Sequence, residues 1–138
     1  MILVDSNILM YAAGTVHPHR EASAALLEQI ALERVEAITD VEVLQEILHR
    51  YRAIGQWEKG CRAYDLARQI FRVVIPVTNE VIDDARVLMD EYRRLGARDA
   101  VHAAVCRLVG ADAICSYDRD FDVIKGIERV EPGAVSPS

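Results

Sequence analysis

Short apolar runs, each stopped within a few residues by a turn former or an acid, alternate along this chain with longer stretches whose apolar side chains recur every third or fourth residue. That switching between two periods restricts the fold more than any other feature. Runs of three or four apolar residues suit strands covered on both faces, and the stretches between them suit amphipathic helices. Strands and helices in alternation build a three-layer α/β/α fold on a mainly parallel sheet. The runs are Ile2–Val4, Glu36–Thr39, Val73–Ile75, Ala113–Cys115 and, as a fifth strand, Ile127–Val130. Between them, residues 8–12 predict one helical turn stopped at Gly14, and Pro18 opens a helix over 20–34. Thr39 and Asp40 offer caps for a helix over 41–54, and another helix spans 57–71. A further helix runs from Thr78 or Asn79 to Gly96, and a small-residue helix covers 99–109 before Gly110.

The 138 residues allow one domain, expected over 1–131 with a loose tail at 132–138. Hydrophobic residues make up 51% and charged residues 28%, as in an ordinary globule. No apolar run reaches the roughly 18 residues of a membrane span. The first residues, Met-Ile-Leu-Val-Asp, lack a basic segment and a long apolar one, so a cytoplasmic protein is expected. Cys61, Cys106 and Cys115 are odd in number and widely spaced, which argues against a disulfide framework or a zinc site. Cys106 and Cys115 read as small core residues. The formal charge is −6, a poor overall match for nucleic acid. Yet only Lys59 and Lys125 among the 16 cations are lysine, and the arginine fork suits phosphate. Acids gathered in one pocket would leave an arginine-lined rim.

In a sheet of this kind the functional crevice lies beyond the carboxyl ends of the strands. Asp5, Ser6 and Asn7 follow the first strand, and Ser116, Asp118, Asp120 and Asp122 follow the fourth. Asp99 opens the small-residue helix, and Glu46 lies mid-helix with Glu42 one turn earlier as its competitor. Each has an ordinary explanation: a turn residue for Asp5 or Asp118, a dipole partner for Asp99, a pair with Arg50 for Glu46. If four of these carboxylates meet, however, each pair about 4 Å apart repels by about 4 kcal/mol at an effective dielectric of about 20. Such a cluster requires protons or a cation. Oxygen ligands alone select a hard ion, Mg²⁺ or in its place Mn²⁺, and such an ion suits phosphodiester hydrolysis. Neutralising one acid, Asp5→Asn or Asp99→Asn, should then raise the melting temperature in EDTA.

Other chemistries fit less well. No Gly-rich phosphate loop and no Gly-x-Ser-x-Gly elbow is present. His102, one turn beyond Asp99, reads as a helix residue facing the sheet or a partner rather than a base. His17 and His19 read as a loop pair, at most a weak chelate.

The segments MILVDSNILMYA (1–12), VLQEILHRY (43–51), ARDAVHAAVCRLVGAD (97–112) and ICSYDRDFDVI (114–124) resemble, in order and spacing, a PIN domain of the VapC toxin ribonuclease type. The resemblance covers nearly the whole chain and implies an Mg²⁺-dependent endoribonuclease. Asp5, Glu46, Asp99 and Asp118 match its catalytic, metal-holding acids, with Asp5 and Asp99 as principal ligands and Asp122 as a possible extra. Ser6, Asn7 and Ser116 match positions that orient the carboxylates. It implies a homodimer and a cognate antitoxin whose tail enters the site. The alternative is a non-catalytic PIN module that binds RNA or a protein. Arg50, Arg52, Arg93, Arg94 and Arg98 lie on or beside the flanking helices, with Arg94 and Arg98 the foremost candidates for RNA phosphates. Apolar residues in the first four helices exceed what a small core needs, which leaves surface for a partner.

Overall fold

Strand β1 is Ile2–Val4, and its two wholly buried side chains point opposite ways, as the two-residue period of a strand requires. Leu3 enters one core and Val4 the other. The computed structural model describes residues 1–137; Ser138, the end of the expected tail, lies outside the described residues. The other strands are β2 (Ala37–Asp40), β3 (Val74–Ile75), β4 (Ala113–Cys115) and β5 (Glu128–Val130). They form one parallel sheet in the order β3-β2-β1-β4-β5. Leu3 lies in register with Ile38 and Ile114, and Val4 with Cys115, so both faces are apolar at the centre of the sheet, with buried Thr39 and Asp40 as polar exceptions at the end of β2.

Helices α1 (Ser6–Ala13), α2 (Arg20–Ala31), α3 (Val41–Ala53) and α4 (Trp57–Ile70) cover the Val4 face. Helices α5 (Asn79–Glu91) and α6 (Ala97–Val109) cover the Leu3 face, so the expected three layers are present. Helix α4 approaches α3 closely because residue 60 is glycine: a Cβ there would stand 2.6 Å from Tyr51 Cβ. The thiols of Cys106 and Cys115 are buried, which pushes both pKa values up to about 12 and fits core residues.

Several boundaries differ from the sequence expectation, among them α2, which ends at Ala31 rather than at residue 34, and α6, which begins at Ala97 rather than at Asp99. Helix α1 starts at Ser6, because the Asp5 side chain caps it by accepting from the Ser6 N–H. Helix α5 ends at Glu91, and Gly96 caps α6 instead of stopping α5. Leu95 N–H bonds back to Tyr92, whose hydroxyl accepts the Lys125 N–H at 3.1 Å, and this folds 92–96 into a turn. Two short 3-10 turns, Arg119–Val123 and Pro132–Ala134, escaped the sequence reading, and Pro132 in the second is buried.

Consecutive connections run outward from β1 to β2 and β3, then return to β4 on the other side. The sheet therefore reverses direction between β1 and β4, and the backbones diverge there at their carboxyl ends. A parallel sheet opens its crevice at such a point. The residues placed there are Asp5 after β1 and Ser116 after β4.

Candidate active site

Asp5, Ser6, Asn7, Glu46, Asp99 and Asp118 line one open cavity of about 460 Å³ at the β1/β4 reversal, with Arg98 at its edge. Four separate segments deliver the four carboxylates. Asp5 leaves β1 with its backbone N–H bonded to Cys115 O at 3.0 Å, which fixes it between the two strands. Glu46 comes from the buried face of α3. Asp99 lies in the first turn of α6, where the helix dipole favours a negative charge. Asp118 caps the 3-10 turn by accepting the Asp120 N–H at 2.9 Å.

Ser6, Asn7 and Ser116 hold these acids in place. Ser116 Oγ donates to Asp5 Oδ2 at 2.6 Å and accepts from Asn7 Nδ2 and the Asp118 N–H, both at 3.0 Å. Asn7 Oδ1 accepts the Tyr117 N–H at 3.4 Å, tying α1 to the segment after β4. The Ser6 hydroxyl donates to Glu46 Oε2. Each serine or amide bridges two elements, so a shift in either strand end would move the carboxylates.

Below Asp5 and Glu46 lies a residue whose role the sequence reading missed. His102 is wholly buried, with Nδ1 at 2.6 Å from Asp40 Oδ2, Nε2 at 2.9 Å from Glu46 Oε1, and Asp5 Oδ1 at 3.5 Å. Burial disfavours its charged form, but hydrogen bonds to Asp40 and Glu46 and the charges of Asp40 and Asp5 outweigh this and raise its pKa well above the ordinary value. The raised pKa, and a carboxylate oxygen facing each ring nitrogen, favour the imidazolium form, which donates from both. Asp40 was read as a helix cap and is one, its Oδ1 accepting the Val43 N–H at 3.0 Å. Its other oxygen serves His102. The available signal was the three-residue spacing of Asp99 and His102, which puts both on one face of α6 a turn apart.

The charges are divided unevenly. Burial raises the Glu46 pKa, but hydrogen bonds and charge from His102, with a bond from Ser6, bring it below the usual value. For Asp5, burial wins over His102 and Ser116, and its pKa rises. Asp99 is displaced too: burial and the charges of Asp118 and Asp5 raise it from 3.8 to about 7. Metal-free, the open half of the site is thus short of positive charge, while the buried half has His102.

This division limits what the site can hold. Ligand atoms of Asp5, Glu46 and His102 lie within 4.8 Å of one another, but both His102 nitrogens face carboxylates, Nδ1 that of Asp40 and Nε2 that of Glu46, which favours a role as their hydrogen-bond partner over that of a metal ligand. The other candidate donors are the carboxylate oxygens of Asp5, Glu46, Asp99 and Asp118, which line the cavity, with an oxygen of Asp120 within 4.8 Å of those of Asp99 and Asp118. An all-oxygen anionic set fits a hard divalent cation and disfavours zinc or copper. Mg²⁺ should therefore raise the wild-type melting temperature in a concentration-dependent way, by linkage to the native state. A differential scanning melt across an Mg²⁺ series checks this, and a flat response would oppose the fit.

Not every expected residue joins the site. Asp122 is paired with Arg129 Nε at 2.8 Å and does not line the cavity. Arg98 lines it, but Arg94 does not, and Arg52 stacks over Trp57 at 4.1 Å between α3 and α4. Glu42 is half-buried and outside the lining, though its pKa is raised by burial and by the charge of Glu46.

Comparison with known proteins agrees with this geometry. The PIN domain family model matches residues 2–127. Ribonuclease VapC13 of Mycobacterium tuberculosis (H37Rv) is 42% identical over 130 residues, 94% of this chain and 99% of its own length. Ribonuclease VapC23 of M. tuberculosis is 34% identical over 118 residues, 86% of this chain and 93% of its own. Among solved structures, M. tuberculosis VapC20, described as a sarcin-ricin-loop-cleaving toxin, superposes with a TM-score of 0.78 at 20% identity, covering 96% of this chain and all of that one. VapBC2 from Rickettsia felis, solved with a DNA fragment from its promoter, gives 0.73 at 17% identity, covering 95% and 98%.

Proposed function

This chain belongs to the PIN-domain family, among the VapC ribonucleases, and from that premise we propose that it is an endoribonuclease toxin that hydrolyses RNA phosphodiesters with Mg²⁺. The observation that carries the reading is the meeting of Asp5, Glu46, Asp99 and Asp118 in one cavity from four segments of the chain. A binding module would gain nothing from their mutual repulsion.

Asp5 and Asp99 are the principal metal holders, with Glu46 and Asp118 completing the set. Bound there, Mg²⁺ (Mn²⁺ in its place) supplies an activated water and neutralises charge developing on the phosphate. Ser6, Asn7 and Ser116 keep the carboxylates from swinging apart, and His102 holds Glu46 and Asp5 from below. Arg98, at the cavity edge, meets the RNA phosphate that enters beside the acids. The test is cleavage of an RNA panel with Mg²⁺ and with EDTA, including precautions against contaminating nucleases. Cleavage with Mg²⁺ and none in EDTA is expected; equal cutting in both, or binding without cutting, refutes the reading.

Phosphate contact by Arg98 has its own consequence. Arg98→Ala should weaken RNA binding and reduce the slope of log affinity against log salt by about one, whereas Arg94→Ala should do less. Fluorescence anisotropy at several salt concentrations measures both, and a larger effect at Arg94 would overturn the placement.

Inhibition by a cognate antitoxin, and a homodimer, complete the reading. Two of the structural neighbours are toxin–antitoxin assemblies, VapBC2 of R. felis and a complex from Klebsiella pneumoniae. An antitoxin arginine entering the cavity would satisfy the same carboxylates that hold the metal. Val41, Leu48, Ile54 and Trp57 on α3 and at the start of α4 remain 36–46% exposed, which gives a homodimer an apolar seam. Among the described residues no helix is long and apolar enough to cross a membrane. Light scattering should return the mass of two chains; a monomer at high concentration removes the dimer.

A further inference from the structure

Near the acidic cavity four rings cluster from α1, the loop after it and the segment after β4. Tyr11, in the last turn of α1, stacks on His17 with centroids 4.5 Å apart. His19 stacks on Tyr117 at 3.6 Å, nearly parallel at 12°, and Tyr11 meets the edge of Tyr117 at 5.4 Å. His17 is exposed and the other three are half-buried. We propose that these rings, with the cavity that His19 and Tyr117 border, form a stacking subsite for an unpaired nucleobase of the RNA, one or two nucleotides from the bond that is cut. The proposal rests on the ribonuclease reading above and adds to it how the substrate is gripped.

Three observations support it. The first is continuity with the carboxylates. Tyr117 lies between Ser116 and Asp118, its N–H donates to Asn7 Oδ1, and Asn7 in turn bonds Ser116 beside Asp5. Tyr11 stands one helical turn after Asn7 on α1. A base held on these rings would have its phosphate next to the acidic cavity. The second is space: His19 and Tyr117 border an open cavity of about 590 Å³, with Pro18, Arg129, Glu131 and Ala134 around it. The third is charge. Arg129 is the cation of this cavity, and it is engaged by Asp122 at 2.8 Å and by Glu131 and Ser116 O, each at 3.0 Å. With Glu128 and Glu131 on the wall, a phosphate is disfavoured. A neutral planar base, with donors and acceptors at its edge, is not. Aromatic and histidine faces are the surfaces on which single-stranded RNA bases stack.

The experiment uses a single-stranded RNA that the wild type cuts, together with copies carrying one abasic nucleotide at each position around the scissile bond. Tyr117→Leu and His19→Leu keep apolar bulk and remove the ring; Tyr117→Phe keeps the ring. Circular dichroism melts confirm that each variant is folded. For Tyr117→Leu we expect KM to rise about 5- to 100-fold, with Tyr117→Phe like wild type. One abasic position should cost the wild type a similar factor and cost Tyr117→Leu nothing, because the partner ring is already gone. Abasic penalties that are equal in wild type and Tyr117→Leu overturn the subsite while leaving the ribonuclease reading standing. Unchanged RNA kinetics with weakened inhibition by a co-purified antitoxin would assign the rings to a protein partner and also overturn it. A wild type that cuts no RNA with Mg²⁺ or Mn²⁺ refutes the ribonuclease reading and the subsite with it.

Discussion

Asp99→Asn should abolish Mg²⁺-dependent RNA cleavage, by at least about 100-fold, and at the same time make the metal-free protein melt higher than wild type. The two effects have one cause. On the proposed reading Asp99 supplies negative charge to a bound cation, and without a cation that charge faces Asp118 and Asp5 in a partly buried position. Its folded pKa is about 7 against an ordinary 3.8. A carboxyl whose folded pKa is raised binds its proton more tightly when native, so folding loses stability as pH rises from the unfolded value to the folded one. In EDTA the advantage of the Asn variant should therefore be absent near pH 4, grow through pH 5 and 6, and be complete above about pH 7. Because Asp99 is partly exposed, the ionised form costs about 1–3 kcal/mol rather than the full shift. Loss of the helix-dipole interaction takes back about 0.3–1 kcal/mol. The remainder is a rise of several degrees. Melts of both proteins from pH 4 to 8 check this. A wild type more stable than Asp99→Asn at pH 8 in EDTA would mean that Asp99 is a structural helix residue.

Asp5→Asn should behave differently, contrary to the equal treatment that the sequence suggested for the two acids. Burial raises the Asp5 pKa, but its carboxylate accepts from Ser116 Oγ and the Ser6 N–H and lies 3.5 Å from His102 Nε2. An amide would present a donor to one of these donors. The relief of repulsion that Asp99→Asn obtains is thus offset at Asp5 by a broken network.

His102→Leu should be the most damaging single change in the protein. Leucine fills the space but removes the imidazolium from between Asp40 and Glu46, leaving two carboxylates buried without their cation. Breaking a buried ion pair by deleting one partner costs about 3–5 kcal/mol. The stranded carboxylates can recover only by taking up protons, so the deficit in melting temperature should narrow as pH falls from 8 towards 5. Cleavage should fall as well, since Glu46 loses the contact that aims it into the cavity. His102→Gln, which can still donate one hydrogen bond, should lie between. Urea unfolding at two pH values measures the loss. A His102→Leu protein as stable as wild type at pH 8 would show that His102 is a neutral core residue.

Much of this was legible in the chain. The short apolar runs are strands because Leu3 and Val4, or Ile114 and Cys115, are both apolar and face opposite layers, and that pattern is written residue by residue. Helix ends followed where a local signal sufficed, as with Asp40 and Thr78, whose side chains bond the backbone three residues on. The reach of Asp5, Ser6, Asn7, Asp99, Ser116 and Asp118 towards one end of the sheet also follows from the strand order, because each sits at a strand or helix terminus. What the sequence determined is therefore local: period, caps, and the residues next to each strand end. Tertiary structure alone decided three things. It paired Asp122 with Arg129 instead of leaving it for the cavity. It brought Tyr11, His17, His19 and Tyr117 together from two loops and a helix. And it set His102 against Asp40, 62 positions earlier, and Glu46, 56 positions earlier, so that a histidine on a small-residue helix stands buried between the carboxylates of an acidic site. The physical reason is common to all three. A charge or a ring takes its energy from what surrounds it within a few ångströms, and those neighbours are chosen by how helices pack across the sheet, not by spacing along the chain.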